Sequence, residues 1–194
     1  MVKLDSPEKI QQALNDIKFR MNSMMAYDIY NYLFKKYEQK NKNEKLTSIY
    51  CENHLLDPSY EIAIVFGRQL LDFLQIGHNL NRKKYIDKLD DPLVYKNNIK
   101  DDDLFLSSFP GVTTLPLQDP LIKRYDRQIK SIIKVANKAS AHLTFSHTTE
   151  QEFLDVREIK PIIHDLCIKY VPNLPQENLW WLNKDNMKNA HIEK

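Results

Sequence analysis

The sequence predicts an all-α fold, a bundle of four to five main helices interrupted by an irregular insertion. Three observations carry that expectation. Apolar residues recur at three- and four-residue spacing over most of the chain. Only 3 glycines occur among 194 residues, too few for a turn-rich β protein. A capping side chain followed by proline or an acid opens the long apolar stretches. With 42% hydrophobic and 28% charged residues, the chain can bury a core as one domain over 1–194.

The first helical stretch opens at Ser6-Pro7-Glu8. Its hydroxyl can cap, its proline needs no N–H at the first position, and its acid suits the first turn. Ile10, Leu14, Ile17, Met21, Met24 and Met25 form a stripe that continues through Ile29, Tyr30, Leu33, Phe34 and Tyr37. One helix bent near Asn22-Ser23, or two shorter helices, fits that spacing, with the methionines and tyrosines as core filling. Asp57-Pro58-Ser59 opens the second stretch, with Ser59 as cap. Ile62, Ile64, Val65, Phe66, Leu70, Leu71, Phe73, Leu74 and Ile76 cover most of its circumference, which places it at the bundle centre. Gly77 is the expected C-cap.

Residues 78–116 change texture to runs of Asn, Lys and Asp, with Leu104-Phe105-Leu106 as their concentrated apolar patch. They read as an insertion holding one or two short helices, and no strand pair is expected. Asp119-Pro120 opens the third main helix, whose stripe of Ile122, Tyr125, Ile129, Ile132, Ile133 and Ala136 runs on to His142. The last helix covers Glu150 to Tyr170, and Pro161 inside it predicts a kink or a restart near Lys160. A tail over 172–194 carries Trp180-Trp181, suited to covering apolar surface on this chain or a partner.

Composition removes several classes of function. A net charge of +2 and a pI near 8.4 fall short of the basic balance of a dedicated duplex-DNA binder. Neither GxGxxG nor GxxxxGK[ST] occurs. Cys51 and Cys167 lack CxxC spacing and read as reduced thiols, so the expected compartment is the cytoplasm. No run approaches the ~20 apolar residues of a membrane span, and no membrane association is expected. His142, His147 and His164 do not make an HExxH or Glu-x-x-His pattern, so neither a metal nor another cofactor is expected.

Two polar breaks stand out against the apolar pattern. In Asn137-Lys138-Ala139-Ser140-Ala141-His142-Leu143-Thr144, small residues separate an amide from an imidazole near a helix end. His142 can transfer a proton near neutrality, and Asn137 can line the same broad groove. Arg68 and Asp72 stand four apart in the apolar second stretch. Arg68 could meet a phosphate or carboxylate while Asp72 holds its guanidinium. Lys138 and Thr144 complete the candidate ligand-binding set. The plainer reading is an intrahelical Arg68–Asp72 ion pair, with Asn137 and His142 capping neighbouring elements.

Asn137-Lys138-x-x-Ala141-His142 resembles the HEPN family of small helical domains in nucleotide- and RNA-processing systems. That family's hallmark is an Arg four to six positions before a His on a late helix, often as Arg-Asn-Lys-x-x-Ala-His. The resemblance spans roughly residues 20–170 in architecture, with the Arg68 helix as the partner helix. It implies RNA binding or metal-independent RNA cleavage in a cleft between two subunits, with His142 transferring the proton. The chain departs from the pattern, because no Arg lies four to six residues before His142. Arg68 or Lys138 would have to replace it. The alternative is a non-catalytic protein-interaction or oligomerisation module. Either way a homodimer is expected, through the small Ala139-Ser140-Ala141 surface and Trp180-Trp181.

Overall fold

The computed structural model describes residues 2–40, 57–78, 92–96, 103–142 and 149–176. Among them the architecture is all-α, with a single two-stranded ribbon. Helix α1 covers Pro7–Met24 and α2 covers Ala26–Lys40, so the first stretch is two helices parted by Met25. The Met25 N–H bonds to the Asn22 carbonyl, one residue short of the α-helical step. Ser6 caps α1 as its sequence predicts, its hydroxyl accepting from the Lys9 N–H at 3.3 Å.

Helix α3, Asp57–Phe73, begins two residues ahead of Ser59, which therefore lies inside the first turn and is not the N-cap. Its far end also differs from expectation. The chain leaves the helix through Gln75 at φ 60°, and Gly77 enters strand β1, Ile76–His78. That strand pairs antiparallel with β2, Leu93–Tyr95, with Gly77 opposite Val94. The ribbon escapes a pattern search because three residues per strand are too few to show an alternation. In the remainder of the 78–116 region, the described short helix is a single 3-10 turn at Leu106–Ser108. Its Leu106 and the neighbouring Phe105 are buried, so the apolar patch there belongs to the core.

Asp119 caps the short helix α4, Pro120–Arg124, accepting from the Leu121 N–H at 2.8 Å. A break at Tyr125 separates it from α5, Asp126–His142. Helix α6 runs over Glu150–Tyr170 without interruption, so Pro161 does not restart it. Thr149 and Glu152 close a capping box at its start.

Helices α5 and α6 form an antiparallel pair fixed by three side-chain rungs. Lys134 meets Glu152 at 3.3 Å, Ser131 donates to Asp155 at 2.7 Å, and Gln128 donates to Glu158 at 3.1 Å. The α1–α2 arm runs antiparallel to α3: Arg20 donates to Gln69 at 3.0 Å, and farther along the arm Tyr27 meets Tyr60 edge-on. Gly67 lets α3 lie close to α5, since a Cβ there would stand 2.5 Å from Ile132 Cδ1. Ala63, Ile64, Leu70 and Leu71 from α3 are buried beside Ile129, Ile132 and Ile133 from α5 and Ile159 and Ile163 from α6. Cys167 is buried in the same core as a free thiol. Among the described residues no helix is long and apolar enough to cross a membrane.

Candidate functional site

Arg68 and Asp72 are brought together by the i, i+4 spacing of α3. The Arg68 Nη2 lies 3.0 Å from Asp72 Oδ1, and Lys96 Nζ reaches Asp72 Oδ2 at 2.9 Å. One carboxylate thus serves two cations, tying α3 to the residue that follows β2. Burial lowers the Arg68 pKa while Asp72 opposes the shift. The guanidinium is partly sunk against the fold with its charge committed inside the chain.

Asn137 and His142 lie on the C-terminal half of α5, as the sequence expects, and Lys138 lies on the same segment. Thr144, Leu143, His147 and the Trp180-Trp181 pair lie outside the described residues, as does Cys51. Gly67 faces Ile132, so Arg68 stands near the level of Ile132. His142 is ten residues further along α5, about 15 Å at the α-helical rise. Tyr60, at the start of α3, sits against Phe153 in the first turn of α6. The end of α3 nearest the start of α6 is therefore its N-terminus, and Arg68 points its charge to Asp72 in the opposite direction. The fold joins Arg68 to Asp72 and separates that pair from His142 along the bundle axis.

Among the described residues, the most deeply buried ion pair is one the sequence reading did not single out. Asp28 on α2 is paired with Lys160 on α6, at 4% and 1% side-chain exposure. The Lys160 ammonium also lies 5.5 Å from the centroid of the Tyr27 ring. Tyr27, Tyr60 and Phe153 pack as an aromatic cluster beside them, with centroid separations of 5.6, 4.9 and 6.2 Å. One turn beyond Lys160, His164 is fully buried, and desolvation holds its pKa well below the ordinary value, with the Lys160 charge adding to the shift. A sequence signal existed: Asp28 continues the buried spacing of Met21, Met24 and Met25, and Lys160 falls beside Ile159 within the buried face of α6. A carboxylate and an ammonium on the inward stripes of two helices suggest a pair. These groups are sealed from solvent and serve the packing.

Helices α1, α2 and α3 also expose large apolar side chains among their polar ones. Phe19 is 61% exposed, Leu33 51%, Val65 46%, Ile62 43% and Tyr30 39%. Phe19 meets the half-buried Phe66 edge-on at 5.6 Å, which joins the outward edge of α1 to that of α3. The exposure of Ile62 and Val65 corrects the expectation that α3 is enclosed all round, and Tyr30 and Leu33 are likewise not core residues. Among the described residues, no group of three or more His, Cys, Asp or Glu is placed to hold a metal ion. No family model matches the chain, and no curated protein or solved structure matches it.

Proposed function

We propose that this chain is a non-catalytic helical interaction module whose working surface is the outward face of α1, α2 and α3. One observation carries the reading. Five of the seven large apolar side chains exposed among the described residues, Phe19, Tyr30, Leu33, Ile62 and Val65, stand on these three adjoining helices. Such a concentration marks a contact surface more often than scattered exposed apolar residues do. Three of the charged pairs among the described residues are, by contrast, closed within the fold: Arg68 with Asp72, Lys160 with Asp28, Lys134 with Glu152.

The second reading is the HEPN-like one, RNA binding or metal-independent RNA cleavage with His142 as proton-transfer group. Its support is the helical placement of Asn137, Lys138 and His142 together on the last turns of α5. Incubation of the purified chain with single-stranded and structured RNAs, beside His142→Ala and Asn137→Ala variants, separates the two. The interaction-module reading expects no cleavage by any of the three. Cleavage by the wild type that falls by about 10²-fold or more in His142→Ala overturns it in favour of the RNase.

A further inference from the structure

We propose that the occupant of the apolar face is a second copy of this chain, docked antiparallel about a two-fold axis near Ser23 and Ala26. The proposal rests on the interaction-module reading and names its partner. Positions 19, 23, 26, 30 and 33 follow the four-three spacing of a helical seam across the α1–α2 junction. The buried residues Ile17, Met21, Met24 and Asp28 alternate with them, so the seam is the face turned away from the core.

The seam is arranged to meet its own copy. Ser23 and Ala26 are small and let two backbones approach at the middle. Phe19 and Tyr30 flank them at equal sequence distance, five to six residues from the midpoint, on opposite sides. A two-fold rotation through that midpoint sets Phe19 of one copy against Tyr30 of the other and repeats the contact at the far end, as an isologous interface requires. Aromatic pairs of this kind contribute beyond their buried area. Ile62 and Val65 from α3 extend the seam sideways beside Phe66.

The area is of the right order. At their observed exposures, the five side chains present roughly 400 Å² of mainly apolar surface per copy. Interfaces are about 56–65% apolar, so this corresponds to roughly 600–700 Å² per partner, toward the lower side of the ~800 Å² of a standard stable complex. No charged residue occupies positions 19, 23, 26, 30 or 33. These five seam positions therefore bring no like charges together when the seam meets its own copy.

Sedimentation equilibrium across the micromolar range tests the proposal, with helical content checked by circular dichroism for every variant. The wild type should approach twice its 23.0 kDa chain mass as concentration rises. Phe19→Asp and Tyr30→Glu should each weaken association by at least tenfold. The double variant Phe19→Lys with Tyr30→Glu, which sets a new cation against a new carboxylate only in the antiparallel arrangement, should associate more tightly than either Phe19→Lys or Tyr30→Glu. A wild type that stays at the chain mass overturns the second-copy assignment, as does a dimer indifferent to both single substitutions. Neither result touches the RNA experiment above, so the failure of this inference and the failure of the interaction-module reading are separable.

Discussion

Helix α2 carries a charge on its inside and apolar groups on its outside, and that inversion separates two regions of the molecule. Inward, Asp28 is fixed to Lys160 beneath the Tyr27 ring, with the neutral His164 one turn on. Outward, Tyr30 and Leu33 continue the surface begun by Phe19 and flanked by Ile62 and Val65. Amphipathic order alone would put these groups the other way round. The buried pair gives little net stability over an apolar replacement, but it makes the position of α2 on α6 specific, since either charge alone could not remain in the core. The outward region has the opposite logic: its side chains add little to the fold and are available to a partner.

The largest effect should come from breaking the inner region. Asp28→Ala or Lys160→Ala leaves one buried charge without its partner, and each should lower unfolding stability by about 3–5 kcal/mol in urea titrations. Replacing both together, Asp28→Leu with Lys160→Met, should recover most of that loss. If the single and double variants are equally destabilised, the pair is not the reason for the cost.

The buried histidine gives the next effect, with a defined sign. Its folded pKa lies below the ordinary 6.5, so the unfolded chain binds the extra proton first as pH falls. Stability should therefore decline from about pH 6.5 downward toward the folded pKa, at up to about 1.4 kcal/mol per pH unit for this one proton. The wild type should lose more stability than His164→Asn between pH 7.5 and 5.5. Equal pH slopes in the two proteins would contradict the assignment.

Arg68→Ala should cost less, about 1 kcal/mol, because the pair with Asp72 is only partly buried and Lys96 still neutralises the carboxylate. A much larger loss would show that α3 depends on Arg68 for more than this pair. Smallest of all, Val65→Asp on the outer face should change the unfolding free energy of the monomer by no more than about 0.5 kcal/mol. Asp28→Ala on the adjoining helix α2 should differ from it by several kcal/mol.

Sequence alone reached the helical class and the inward stripes of α1 and α5, because those elements are long and periodic. Ser6 and Asp119 were legible as caps for the same local reason. The β1–β2 ribbon was not, since His78 and Leu93 become neighbours only through tertiary pairing. The Arg68–Asp72 contact followed from helical spacing, whereas its distance from His142 depends on how Gly67 seats over Ile132. Asp28 and Lys160 are 132 positions apart; the helical stripes turn each of them inward, but only tertiary packing brings the two together. The outer face was hidden for a different reason. Tyr30, Leu33, Ile62 and Val65 have the residue types of a core, and only the packed arrangement shows which apolar residues it leaves out.

A paired measurement on Ile62→Asp separates a contact surface from a part of the core. Its unfolding free energy would be determined by urea titration at low concentration, and its association by light scattering at high concentration, each beside the wild type. Ile62→Asp should match the wild type in monomer stability and lose the associated species. An Ile62→Asp protein that unfolds readily, or that associates as the wild type does, would contradict the contact-surface assignment.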